Sequence, residues 1–364
     1  IDTELSIGAS WSTARADSKL IGANNGGTGQ SAISDDGRLN FKRGETFSKI
    51  FTGMHALELK YGDSGLYVRG KYWYDFELQD DSRPFKPISD SGRRASAQSA
   101  GAQLLDAFVY HNYAIADQPG AVRLGKQVVS WGESAFIGGG INAINPTDPA
   151  AYRRPGTEFK DGLVPVNLFY LSQNLTDNLS AEAFYQLDWE PSEADNCGTF
   201  FSRSDVMADG CSGNYRVMSK RSALDVADLA ALTGAGVEVN EEGVLVRRGA
   251  NRYARNSGQF GLAMHYRFDP LDTEFGAFFM NYHSRAPIFS AQGAPSAAYT
   301  RPLGPLGALR PLIVAGSSNY FVEYPEDIRL YGLSFSTTLP TGTAWSGELS
   351  YRPNAPVQLS TTDI

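Results

Sequence analysis

The chain has 364 residues, of which 42% are hydrophobic and 12% aromatic, with 38 glycines and a formal net charge of −8. That balance gives no support for nucleic-acid binding, and no run of eighteen apolar residues is present to form a membrane-spanning helix. The slightly negative mean hydropathy leaves a transmembrane β-barrel open, because only alternate strand residues of a barrel face lipid.

In chain order, about eleven segments read as strands: 3–13, 48–62, 66–79, 104–115, 121–130, 165–173, 178–190, 258–268, 272–285, 327–339 and 343–352. Side chains alternate between the two faces of a strand. The segment 66–78 does so cleanly, with Leu66, Val68, Tyr72, Tyr74, Phe76 and Leu78 on one face and Arg69, Lys71, Trp73, Asp75 and Glu77 on the other. The segment 179–190 opposes Leu179, Ala183, Tyr185, Leu187 and Trp189 to Glu182, Gln186, Asp188 and Glu190. Leu262, Met264 and Tyr266 oppose His265 and Arg267, and Trp345, Leu349 and Tyr351 oppose Glu348 and Arg352. Two segments are less regular: 273–283 is apolar on both faces, and 104–115 places Phe108 and Tyr110 on its polar side.

The connections alternate in length. Short turns at Gly62-Asp63-Ser64-Gly65, 116–120, 173–178, 269–272 and 340–342 separate long stretches at 14–46, 80–103, 131–165, 191–257 and 286–326. A soluble sandwich also alternates polarity but gives no reason for this strict alternation of turns and loops. An antiparallel transmembrane β-barrel of the bacterial outer membrane does, with short periplasmic turns and long extracellular loops. The chain therefore reads as a single barrel domain over 1–364, in which 131–165 is a candidate lumen constriction and 191–257 is a long extracellular loop. An odd strand count, an outward-ending last strand and a terminal Thr361-Thr362-Asp363-Ile364 without an aromatic lead us to expect that the chain is incomplete and that strand eleven presents an open edge.

The two cysteines, Cys197 and Cys211, lie in that long loop and are expected to form a disulfide in an exported protein. Candidate lumen-lining residues are the charges on the polar strand faces: Arg69, Lys71, Asp75, Glu77, Glu182, Asp188, Arg267, Glu348 and Arg352. Such rings set selectivity in channels, or pair into structural ion bridges. Candidate constriction residues are Trp131, Glu133, Arg153, Arg154 and Glu158, in a stretch rich in glycine and proline that forms no regular ladder. Irregular backbone at membrane depth is tolerated only inside protein or water, so part of this stretch is expected to fold inward, with Glu133 pairing an arginine. An ordinary outer loop is the alternative. No catalytic residues are assigned: His283 and Ser284 are adjacent and point to opposite faces, His55, His111 and His265 lack a serine two residues away, and neither a G-x-S-x-G elbow nor an H-E-x-x-H motif occurs. No cofactor is expected; the acidic pairs Asp35-Asp36, Asp80-Asp81 and Asp205/Asp209 read as solvated loops before they read as calcium ligands.

The stretch Val122 to Ser134, with Trp131-Gly132-Glu133 at its end, followed by Gly139-Gly140-Ile141-Asn142, Asn145-Pro146-Thr147-Asp148 and Arg154-Pro155-Gly156, resembles a large family of proteobacterial outer-membrane proteins catalogued as a domain of unknown function (family thirteen-oh-two). The likeness continues in Asp35 to Phe41, Val68-Arg69-Gly70 and Tyr351 to Leu359. The resemblance implies an outer-membrane barrel that moves hydrophobic or lipid-like small molecules. It also implies a periplasmic lipoprotein-like partner and an RND-type inner-membrane transporter. It supplies no catalytic residues. A structural or adhesive barrel, whose outer loops bind an extracellular partner, is the second reading.

Overall fold

A computed structural model describes residues 1–133, 138–153, 162–218 and 220–359. The eleven expected segments form one sheet in chain order: β1 (Asp2–Trp11), β2 (Thr46–Tyr61), β3 (Ser64–Asp75), β4 (Ala100–Ile115), β5 (Gln118–Gln127), β6 (Val166–Asn174), β7 (Leu179–Gln186), β8 (Phe260–Phe268), β9 (Thr273–Tyr282), β10 (Ile328–Thr338) and β11 (Ala344–Tyr351). Every neighbouring pair is antiparallel. Among the described residues β1 and β11 are the two edges and do not pair with each other. The sheet is thus open where a closed barrel would join them.

The short turns are built by local backbone chemistry. Ala116 and Asp117 both adopt positive φ (49° and 65°), and Gly62 does the same between β2 and β3. These are the conformations a two-residue hairpin needs to match strand twist. The long connections are not bare loops. The fourth contains a helix, Val226–Gly234, and a small sheet; the fifth contributes Ile288–Gln292, Asn319–Glu323 and a helix, Arg310–Ser317. Leu232 and Val244 of the fourth pack with Leu312 and Ile313 of the fifth.

The described parts of the segment 128–150 pack on one face of the sheet, the inner face. Val129, Trp131, Ile141 and Ile144 bury against Leu168 on β6, Phe184 on β7, Ala263 on β8, Phe278 and Met280 on β9 and Leu330 on β10. The same segment reaches Glu348 on β11 and, through Asp148, Lys71 on β3. Strands that far apart in the sheet touch one segment because the sheet curls around it. The opposite, outer face exposes apolar side chains such as Leu5, Leu124, Leu262, Leu333 and Leu349.

Three features depart from the sequence reading. The strand expected over 66–79 stops at Asp75, because its carboxylate accepts the N–H groups of Glu77 and Leu78 and caps the helical turn Phe76–Asp80. Phe76 and Leu78 therefore leave the strand, and Glu77 turns inward to Lys49 and Arg83. The strand expected over 178–190 stops at Gln186. Asp188 takes the N–H and side-chain amide of Asn167, and Trp189 buries with its indole N–H on Ser284 O, out of the outer face. Finally, the β3–β4 register slips between Val68 and Gly70. The extra residue on β4 is a bulge that buries both Leu105 and Asp106; beyond it Phe108 and Tyr110 keep to the polar inner face, opposite Tyr67 and Arg123.

Candidate functional site

The inward segment is held by a few polar clamps around its apolar core. Glu348 accepts from the backbone N–H of Glu133 (2.9 Å) and of Ile141 (3.0 Å), joining both arms of the segment to β11. Arg352 donates to Gly140 O at 2.6 Å. The indole N–H of Trp131 donates to Glu182 Oε2 at 2.6 Å, while its ring lies 5.1 Å from Phe184 and 5.9 Å from Phe278. Asn145 closes the base by accepting from Val129 N (3.0 Å) and donating to Val164 O (2.9 Å). Gly132, at φ 82°, allows the close approach: a Cβ there would stand 2.5 Å from Glu348 Oε2. On the wall, a Cβ at Gly332 would meet Ile141 at 2.7 Å, so glycine there makes the seat for that side chain.

The remaining inner face carries paired charges. Arg69 Nε sits 2.7 Å from Asp106 Oδ2. Lys71 Nζ stands 3.8 Å from Asp148 Oδ2. The Arg123 guanidinium lies 4.1 Å over the Tyr170 ring.

Two cavities flank the segment. Toward the long connections is one of about 120 Å³, walled by Phe47, Ile50, Trp73, Phe200 and Phe201 together with Asp75, Asp148, Arg153 and Glu193. Toward the short turns is a polar basin of about 250 Å³ lined by Glu133, Arg267, Asp272, Glu274 and Thr337.

Above the first cavity the long connections lock together. Lys86 of the second connection bonds Asp36 of the first (3.0 Å) and Glu242 of the fourth (2.8 Å). Asp205 accepts from Asp36 N at 3.2 Å. Asp35, Asp36 and Asp205 are all buried together, and burial, then the nearby Asp205 charge, pushes the Asp36 carboxyl up to about 7. Burial is also the largest influence on Glu77 and acts upward, but hydrogen bonds from Lys49, Thr46 and Arg83 outweigh it and hold that carboxyl at about 2. Cys197 and Cys211 are bonded, with Cα atoms 6.2 Å apart.

Of the expected lumen residues, Arg69, Lys71, Asp75, Glu182, Glu348 and Arg352 lie on the inner face or its rim, each with partners. Glu77 and Asp188 lie beyond their strand ends. Arg267 sits at a short turn, paired with Asp269 (3.3 Å) and Asp272 (2.8 Å). Of the expected constriction, Trp131 is buried in the inner core. Arg153 instead pairs with Asp195 of the fourth connection and lies 4.5 Å over Phe201. Arg154 and Glu158 fall outside the described residues. The arginine expected for Glu133 is not found among the described residues; its carboxylate faces Glu274, Glu348 and His265, with a hydrogen bond to Ser346.

The residues that sequence reading misses are Asp106, hidden by the bulge, and Asn145 and Asp148, which read only as chain breakers. It also misses a serine–histidine contact across strands: Ser64 Oγ lies 2.9 Å from His111 Nδ1. Among the described residues His111 makes no further side-chain hydrogen bond, so no carboxylate orients its ring as a nucleophile's base requires.

The family model described as "Protein of unknown function (DUF1302)" matches residues 1–364, the whole chain. The chain belongs to that family. No curated protein matches the sequence. Among solved structures, the siderophore receptor PirA from Pseudomonas aeruginosa is 12% identical, with a TM-score of 0.26 over 84% of this chain and 42% of the receptor. A mutant of the ferric enterobactin receptor PfeA from the same organism is 13% identical, with a TM-score of 0.25 over 86% of this chain and 45% of the receptor. The chain spans less than half the length of either receptor, and likeness at this level carries no argument about role.

Proposed function

We propose that this chain is the wall and inner segment of an outer-membrane β-barrel that passes apolar small molecules, with residues 128–150 as its gate and no covalent chemistry. The observation that carries this reading is the seating of an irregular segment inside a curled sheet, between two cavities, by a handful of separable polar clamps. The apolar outer face and the turn–loop alternation support a lipid setting with the short turns on the periplasmic side. The aromatic walls of the upper cavity support an apolar cargo, and the polar basin beneath supports release toward water. In this reading Arg69, Lys71, Glu182, Glu348 and Arg352 line the passage, and Trp131 and Glu133 form its constriction. A periplasmic lipoprotein-like protein and an RND-type transporter are the partners we propose downstream.

Removing the Glu348 clamp tests the gate. Glu348→Ala in planar bilayers is expected to raise single-channel conductance, because it frees the Glu133 and Ile141 N–H groups from the wall. Unchanged conductance would leave the segment a fixed plug. A second reading, in which the outer loops bind an extracellular partner, draws on the ion-paired packing of the long connections. Retained conductance change in a protein lacking 226–245 would count against it.

A further inference from the structure

We infer that His265 is a proton-operated latch for the inward segment: its charged ring ties Trp131 and Glu133 to the wall, and loss of the proton lets them go. This deepens the passage reading and rests on it only for the effect on conductance.

The ring is placed between two carboxylates. His265 stands on β8 between β7 and β9, largely buried, with its ring edge-on to Phe278 at 5.4 Å. Its Nδ1 lies 3.3 Å from Glu274 Oε1 on β9, and its Nε2 lies 3.8 Å from Glu182 Oε1 on β7. A neutral imidazole has one N–H and one lone pair. Either tautomer therefore turns a lone pair toward a carboxylate, whereas the imidazolium presents an N–H to both. Nε2 is buried and makes no hydrogen bond, so what joins it to Glu182 is charge.

Both carboxylates lead to the inward segment. Glu182 faces His265 with Oε1 and takes the Trp131 indole N–H with Oε2 at 2.6 Å; the Tyr170 hydroxyl on β6 is a further partner. Glu274 faces the Glu133 carboxylate, which also meets Glu348 on β11 and His265 itself. Among the described residues no lysine or arginine pairs with Glu133, Glu182 or Glu274. Arg267, two positions along β8, is engaged by Asp269 and Asp272. The charged His265 ring is thus the cation that offsets the repulsion between segment and wall. Glu133 and Glu274 line the polar basin toward the short turns, so protons reach the latch from that side. Histidine is the side chain whose charge changes in the neutral range. The charged ring's contribution to seating is therefore present in acid and lost as pH rises.

The test follows hydrogen exchange of residues 138–145, corrected for intrinsic rates, in the full chain in lipid nanodiscs at pH 5.5 and pH 8. Single-channel conductance in planar bilayers is read at the same two values. Wild-type exchange in this stretch is expected to be roughly tenfold faster at pH 8, the equivalent of one charge-assisted hydrogen bond, and conductance should rise with it. In His265→Gln the stretch should exchange at pH 5.5 as fast as the wild type does at pH 8. Glu133→Gln removes the repelled charge from the segment, so at pH 8 it should exchange more slowly than the wild type. General damage would loosen both variants, whereas the latch moves them in opposite directions. A wild type whose exchange is flat or slows as pH rises, a His265→Gln protein that keeps the wild-type response, or a Glu133→Gln protein that exchanges faster would each overturn the latch. Exchange that follows His265 in protein that conducts nothing would keep the latch and remove the passage reading. Conductance in protein whose exchange ignores pH would do the reverse.

Discussion

The two halves of the sheet present different inner faces. On β3 to β5 that face is polar: Arg69 meets Asp106, Lys71 meets Asp148, and Arg123 covers Tyr170. On β6 to β10 it is apolar, with Leu168, Phe184, Phe278, Met280 and Leu330 buried beneath Trp131, Ile141 and Ile144. The outer faces of both halves are alike, exposing Leu104 and Leu124 on one and Leu262 and Leu333 on the other. The difference arises from what fills the interior. Where the apolar side chains of the inward segment lie on the wall, the inner face behaves as a protein core; elsewhere its charges are paired, Arg69 with Asp106 of the wall and Lys71 with Asp148 of the segment itself.

The largest expected effect tests the apolar half. Trp131→Ala should cost about 3–5 kcal/mol, as for other buried aromatic truncations, and leaves Glu182 without its indole donor. Denaturant unfolding in detergent would measure it. A cost well below that range would mean the segment is only lightly held, and would erase the contrast between the halves.

Next is a test of the shared outer face. Tyr72 lies over Gly53 and is exposed on the outer face of β3. Tyr72→Arg should cost roughly 2–4 kcal/mol if that face meets lipid at mid-depth. Refolding equilibria into bilayers give the value; a cost near zero would place water against this wall. Lys71, one residue away, faces the buried Asp148 on the inner side.

These contrasts also explain what the sequence discloses. Strand β3 is legible because its inner face is polar, so period two stands out from Leu66 to Asp75. Strand β9 reads as apolar on both sides because Phe275 meets the exterior while Phe278 and Met280 meet the inward segment. A pattern of residue types cannot separate lipid from a packed interior, since both ask for hydrocarbon. The inward fold of 128–150 is legible from its breakers and its uncomfortable Trp131 and Glu133. The partners are not. Glu348 meets Glu133 and Ile141, and Asp148 meets Lys71, across long stretches of chain, and Asp106 is shifted in phase by one bulge. The strand ends at Asp75 and Gln186 are misread because a carboxylate that caps a turn, as Asp75 does, or bonds a neighbouring strand end, as Asp188 does with Asn167, looks the same in sequence as one that lines a lumen.

Smaller effects belong to the long connections. Closing the loop between Cys197 and Cys211, fourteen residues apart, is worth up to about 3 kcal/mol of loop order. Replacing both with serine should loosen the fourth connection, seen as faster proteolysis there, and leave the unfolding of the sheet unchanged. Loss of the whole fold would mean that the connections and the wall are one cooperative unit.

The most local effect is a pH dependence that separates connections from wall. Burial and Asp205 raise the Asp36 carboxyl from its ordinary 3.8 to about 7 in the folded chain, and burial raises Asp205 in the same direction. The folded state therefore holds its proton through a window where the unfolded state has released it, so stability falls as pH rises. Below about pH 4 both states are protonated and ionising the buried carboxyl costs nothing. Between 4 and 7 the cost grows, and above 7 it is complete. Lys86, 3.0 Å away, already holds the shift down to that value. Hydrogen exchange corrected for intrinsic rates should show protection around residues 36–40 and 198–206 decreasing from pH 5 to pH 8, with amides of β3 and β9 unaffected. Asp36→Asn should flatten most of that slope, because a neutral amide keeps the shape and can still accept from Lys86. Protection that increases with pH would reverse the sign and show that ion pairing with Lys86 outweighs burial.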